Sequence, residues 1–419
     1  MLPMNSRERV LAAIEHREPD RVPIDFGGMR STGIMAVAYN RLLPLLGLKG
    51  RKARMYDLVQ QLAIPDPEVL SRFHVDVVDL GHLVSTSPSR WKSWTLPDGS
   101  EALVPHWFEP WHNALTDTWE IRNPEGLLLG TQPRGCLYIE QSLYPLRGAP
   151  APRTAQEMRA AMGKVIWSYL ASPPWDRGKE PDYWTWLKGA CAAARKMTDR
   201  AIMMAFGGNL LEGLNFLFSV EDSLLLLGTD QEEANRLLDL LMEVHLENLE
   251  KFIEAVGDNI DIIQMGDDLG SQRSTLVSPD MYRKLFKPRH KRLFQFIKDR
   301  SRLKVFMHSC GSIRQILGDL IDCGIDIINP VQTSAGGMDP AELKREFGRH
   351  VTFWGGGCET QTVLQRGTPE EVEKMVRERI ATFAPGGGFV FNQIHNVMAN
   401  IPPENVVAMF EAAYRHGKY

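Results

Sequence analysis

No apolar stretch in the 419 residues approaches the roughly 20 that a bilayer-crossing helix needs. The start, residues 1–16, is charged and helical in pattern rather than signal-like, so a cytoplasmic protein without membrane contact is expected. Positive charge is not in excess either. With 48 basic side chains against 52 acidic ones the formal charge is −4, which provides no field for gathering phosphates, and nucleic acid is not an expected partner. Cysteine is sparse and odd in number. A disulfide framework is a poor account of Cys136, Cys191, Cys310, Cys323 and Cys358, which leaves thiolate chemistry open. Neither a disordered nor a fibrous reading survives 24% charged and 43% hydrophobic residues.

What is present is a regular alternation. From residue 201 onward, apolar β-rich runs at 201–206, 260–265, 304–307, 325–328, 351–354 and 389–391 are each followed by a helical pattern. Earlier runs at 22–26 and 75–80 bring the count to eight. Eight parallel strands with eight crossover helices predict a TIM (β/α)8 barrel, one domain over 1–419. A doubly wound open sheet is the competitor, but no Gly-rich dinucleotide fingerprint follows the first run. Between about 85 and 150, Trp91, Trp94, Trp107, Trp111 and Trp119 alternate with polar residues around turn signals such as Pro97-Asp98-Gly99. That pattern predicts an inserted antiparallel hairpin region, serving as a lid, a partner surface or a small satellite core.

In a barrel of this type the residues just after each strand share one mouth. They are chemically dense here: Asp79 and His82; Gly207-Gly208-Asn209; Gly266-Asp267-Asp268; His308-Ser309-Cys310; Asn329-Pro330-Val331-Gln332; Gly355-Gly356-Gly357-Cys358-Glu359; and Asn392 to Asn396. His308 and Cys310 form an H-x-C pair and Cys358 follows the seventh run. One imidazole and two thiolates with an open fourth position are the donors of a catalytic zinc ion, so His308, Cys310 and Cys358 are the expected metal ligands. Cys136, Cys191 and Cys323 read as structural filling. Asp267 and Asp268 are the candidate catalytic carboxylates, or else cap the following helix. Glu359 is either a fourth ligand or a helix N-terminal carboxylate. Asn329, Gln332, His395 and Arg30 are the candidate substrate-binding residues.

Residues Gly266-Asp267-Asp268-Leu269-Gly270, Ser278-Pro279-Asp280-Met281-Tyr282, His308-Ser309-Cys310-Gly311, Asp326 to Gln332 and Pro402-Pro403-Glu404-Asn405, with Asp20-Arg21-Val22-Pro23 near the start, resemble the uroporphyrinogen decarboxylase superfamily. The resemblance covers most of the chain and implies a TIM barrel. It also implies one of two chemistries. Metal-free decarboxylases of the superfamily grip a polycarboxylate tetrapyrrole with several arginines; here Arg21 and Arg30 would do so, with Asp79 near the pyrrole nitrogens. The other branch is similar in its H-x-C motif and consists of zinc-dependent methyltransferases that serve corrinoid proteins. That resemblance implies Zn2+, a corrinoid (cobalamin) supplied by a partner protein, and a small methylated substrate such as a methoxylated compound. Where the coenzyme M enzymes of that branch carry their last cysteine near the final strand, this chain reads Gly386-Gly387-Gly388, and Cys358 is expected to take over. An accessory protein that binds a corrinoid or metal without turnover is the non-enzymatic alternative.

Overall fold

The computed structural model describes residues 3–171 and 173–419. Its central sheet contains seven parallel strands in barrel order: Val77–Asp79, Ala201–Gly207, Ile262–Gly266, Lys304–His308, Ile327–Asn329, Thr352–Trp354 and Phe389–Val390. Parallel registers such as Gly266 opposite His308 and His308 opposite Asn329 align their C-terminal ends. The eighth position is the extended segment 22–26. It closes the ring through Asp76 N–H to the Ile24 carbonyl (2.8 Å) on one side, and Phe391 N–H to the Pro23 carbonyl (2.8 Å) on the other. The expected first run is therefore in place, joined by a few bridges rather than a full ladder. The architecture is a TIM-like barrel with extra helices.

Strands buried on both faces read as near-continuous apolar text, which is why Ala201–Gly207 (AIMMAFG) and Ile262–Gly266 (IIQMG) show no polar alternation. Alternate residues nevertheless serve different cores. Val77, Ala201, Met203, Ile262, Phe306, Ile327, Trp354 and Val390 fill the barrel interior, whereas Ile202, Met204, Ile263, Val305 and Met307 face the surrounding helices. Each Val, Ile, Met or Phe side chain among them contributes roughly 1.5–3 kcal/mol on burial. The first helix, Ser6–Ile14, starts at an Asn5/Glu8 capping box. Its Val10, Ala13 and Ile14 join the interior cluster and stop up the N-terminal end. Polar strand-end residues are left to the opposite end.

The stretch between the first two barrel positions is richer in β-structure than its helical patterning suggests. Helices Ala36–Leu45 and Pro67–Arg72 are present, but Ala53–Asp57 and Leu62–Ala63 are strands. The insertion is also more than one hairpin region. Its first hairpin, Trp91–Thr95 with Glu101–Pro105, pairs in parallel with Ala53–Asp57 to form a four-stranded sheet, and Trp111–Asn113, Thr118–Arg122, Leu128–Pro133 and Glu140–Gln141 form another. Trp94 packs against Phe108 and Trp119 (5.4 and 4.9 Å between ring centres), which is a satellite core. Trp107 and Trp111 remain exposed. No helix among the described residues is long and apolar enough to cross a membrane.

Candidate metal site at the barrel mouth

His308 is the last residue of the fifth barrel strand and nearly buried. Its Nδ1 lies 2.6 Å from Asn329 Oδ1, on the last residue of the sixth strand. The Asn329 amide is itself oriented, because its Nδ2 donates to the Trp354 carbonyl at 2.8 Å. The oxygen must then face the imidazole, so Nδ1 carries the proton and Nε2 is left as a lone-pair donor. Nε2 points at Cys310 Sγ, 3.4 Å away, and at Ser31 Oγ, also 3.4 Å away. A tetrahedral zinc ion, with metal–nitrogen and metal–sulfur bonds of roughly 2.05 and 2.3 Å, holds N and S about 3.6 Å apart. The two side chains already stand at that separation.

The third member is His395. Among the described residues, His308, Cys310 and His395 form the His/Cys/Asp/Glu group whose donor atoms all lie within 4.8 Å of one another. His395 adopts a positive φ (64°), which turns the chain after the eighth strand and presents the ring to His308, 5.7 Å between ring centres. Burial and the neighbouring His308 push its pKa down to about 4, so the ring is neutral near pH 7, as a ligand must be. Cys310 is in the opposite situation. Burial, then Asp268 and Glu212, raise its thiol well above the usual range. A sulfur held among carboxylates in a buried place ionises when a cation is supplied, and the donor set of two imidazoles and one thiol suits a borderline-soft divalent ion.

Cys358 does not join them, contrary to the expectation from the sequence. The chain turns sharply at Gly355 and Gly356, both with positive φ (118° and 68°), and carries Cys358 into the apolar layer between barrel and helices. There it is fully buried, and burial followed by the adjacent Glu359 pushes its thiol up to about 12. Glu359 accepts from Gln361 N–H at 3.1 Å, as a local turn carboxylate. Cys191 and Cys323 are buried on helices.

The remaining candidates divide. Both oxygens of Asp267 accept backbone N–H groups, from Leu211 (2.9 Å) and Glu212 (2.7 Å), so this carboxylate caps the helix Leu211–Phe218 instead of facing the mouth. Asp268 does face it. Its Oδ1 accepts the Cys310 N–H at 2.9 Å and lies 3.7 Å from His308 Nε2. Asn329 orients His308 rather than substrate. Gln332 accepts the Gly311 N–H at 2.9 Å and so steadies the same turn. Arg30 pairs with Asp57 at 3.3 Å. It lines a crevice at the mouth with Tyr56, Asp79, Pro173, Trp175 and Met204. Burial lifts Asp79 to about 7, against the opposing N–H groups of Gly81 and His82.

Two groups at the mouth escaped sequence reasoning. Ser31 reaches His308 from the turn after the first strand, where nothing but the adjacent Arg30 marked it. Glu212 receives a hydrogen bond from Asn209, and burial together with Asp268 and Asp267 raises its carboxyl to about 8. Its place three residues beyond the Gly207-Gly208-Asn209 turn was the available signal.

A model of the family described as uroporphyrinogen decarboxylase (URO-D) matches residues 184–416. The uroporphyrinogen decarboxylase of Enterobacter sp. (strain 638) is 33% identical over 78 residues, 19% of this chain, and the match spans 21% of that relative's length. A methyltransferase from Methanosarcina mazei superposes with a TM-score of 0.56 at 18% identity, covering 98% of this chain and 99% of that one. At that identity the likeness shows a shared fold.

Proposed function

The chain belongs to the uroporphyrinogen decarboxylase family, and from that premise we propose that it is a zinc-dependent methyltransferase, moving a methyl group between a small methylated substrate and a corrinoid carried by a separate protein. The observation that carries the reading is the trio itself. His308 Nε2 and Cys310 Sγ stand 3.4 Å apart with His395 alongside, and Asn329 sets the tautomer that leaves Nε2 free to ligate. A porphyrinogen-type decarboxylation, which proceeds without a metal, leaves that arrangement without a purpose. When bound, the ion supplies Lewis acidity to the leaving atom of the methylated substrate. The chain's own residues do the rest. Asn329 and Gln332 hold the ligand turn, Ser31 and Arg30 approach from the first strand, and the Trp-rich insertion, with Trp107 and Trp111 exposed, is the surface that a partner protein meets. In this reading residues 1–419 act as one barrel unit.

The second reading, a metal-free decarboxylase, is favoured by one observation: Arg30, Asp79 and Tyr56 line a common crevice. Metal analysis of the purified protein separates the two. About one zinc per chain, lost in Cys310→Ala, supports the methyltransferase. Native protein that binds no zinc, and that decarboxylates a porphyrinogen, overturns it. Methyl transfer to free cob(I)alamin from a panel of methoxylated aromatics, methylamines and methyl thioethers then identifies the donor.

A further inference from the structure

Three protein donors leave a tetrahedral ion one short. We infer that Asp268 is the fourth ligand of the resting site, an inference that rests on the metal reading above. A zinc ion bonded to nitrogen and oxygen at roughly 2.0–2.1 Å holds those atoms about 3.4 Å apart. Asp268 Oδ1 lies 3.7 Å from His308 Nε2, so it stands near the distance that a shared ion imposes. The same oxygen accepts the Cys310 N–H at 2.9 Å, which ties the carboxylate to the turn carrying the sulfur ligand. It stands outside the trio whose donors are mutually within 4.8 Å, so ligation requires its carboxylate to move closer to them. The side chain is 36% exposed at the open mouth, which leaves room for that motion.

Charge supports the same choice. Two imidazoles and one thiolate leave a dication with a net charge of +1, and one carboxylate neutralises it. The competing carboxylates are less well placed. Glu359 follows Cys358 in the turn that leads away from the trio, with Oε1 accepting the Gln361 N–H. Asp267 is spent on the helix N-terminus. A partly exposed carboxylate ligand is also one that an incoming substrate can displace, which leaves the three inner donors in place during turnover.

The test is zinc affinity by chelator competition, together with the visible spectrum of the cobalt(II)-loaded full-length protein without substrate, for wild type, Asp268→Asn, Asp268→Ala and Glu359→Gln. Asparagine keeps an acceptor for the Cys310 N–H and removes the anionic donor, so it separates ligation from mere support of the turn. Asp268→Asn and Asp268→Ala should each weaken zinc binding by at least about ten-fold and alter the cobalt spectrum, with Glu359→Gln unchanged. Wild-type affinity and spectrum in Asp268→Asn overturn the inference while leaving the three-ligand site standing. Loss of binding in Glu359→Gln instead assigns the fourth position to Glu359. A wild-type protein that binds neither ion overturns both this inference and the function it rests on.

Discussion

Replacing Asn329 by alanine removes a side chain that is fully buried between two partners. It accepts from His308 Nδ1 at 2.6 Å and donates to the Trp354 carbonyl at 2.8 Å. Two consequences follow from different parts of that geometry. The His308 N–H and the Trp354 carbonyl lose their partners, and a buried polar group left unpaired costs about 1–3 kcal/mol. The imidazole also loses the contact that fixes its tautomer and aim, a loss that commonly weakens metal binding 10- to 100-fold, or roughly 1.4–2.7 kcal/mol. Urea unfolding of the zinc-free protein reads the first effect and chelator competition the second. Asn329→Ala should therefore lower the unfolding free energy and, separately, raise the zinc dissociation constant by at least about ten-fold. If the variant unfolds earlier yet binds zinc as tightly as wild type, Asn329 is structural only and the orientation argument for His308 is wrong.

Other substitutions separate roles that the sequence alone ran together. Cys358→Ala should leave zinc stoichiometry at one per chain and lower stability modestly, about 1–2 kcal/mol for a buried side chain shortened in the core, whereas Cys310→Ala abolishes zinc binding; equal zinc loss in both would return Cys358 to the ligand set. Asp267→Ala should cost about 1–2 kcal/mol through the lost cap of Leu211–Phe218, with zinc affinity retained, as urea unfolding and chelator competition would show. Stability should also depend on Asp79. Burial lifts its carboxyl to about 7, so the folded protein keeps a proton there that the unfolded chain releases above about 4. The stabilisation from this group is complete below pH 4 and is lost as pH rises toward 7, by up to about 4 kcal/mol. Asp79→Asn should flatten that slope, and an unchanged slope would show that Asp79 stays ionised when folded.

The barrel was legible because its strands are buried on both faces and its helices carry clear start signals. Thr368 with Glu371 and Pro369 opens the helix Pro369–Phe383, for example. The strands at 53–63 were not legible, since Ala53–Asp57 (ARMYD) contains little β-type text and depends on the distant hairpin at 91–105 for its partner. At the site, His308 and Cys310 stood out through their spacing at a strand end. The third member of the trio did not. Choosing between Cys358 and His395 turns on backbone direction, set by positive φ at Gly355 and Gly356 in one case and at His395 in the other. Residue type favoured the cysteine and geometry favours the histidine. Asp267 and Asp268 show the same limit, because adjacent identical carboxylates point to different sides of a turn and only Asp268 approaches His308 Nε2, at 3.7 Å.

X-ray absorption at the zinc edge of the purified, zinc-loaded protein tests the metal centre most directly. One sulfur at about 2.3 Å with the remaining donors nitrogen or oxygen at about 2.0–2.1 Å is the predicted shell, with the multiple-scattering signature of two imidazoles. Two sulfurs in that shell, or a protein that takes up no zinc to measure, would contradict the site built from His308, Cys310 and His395.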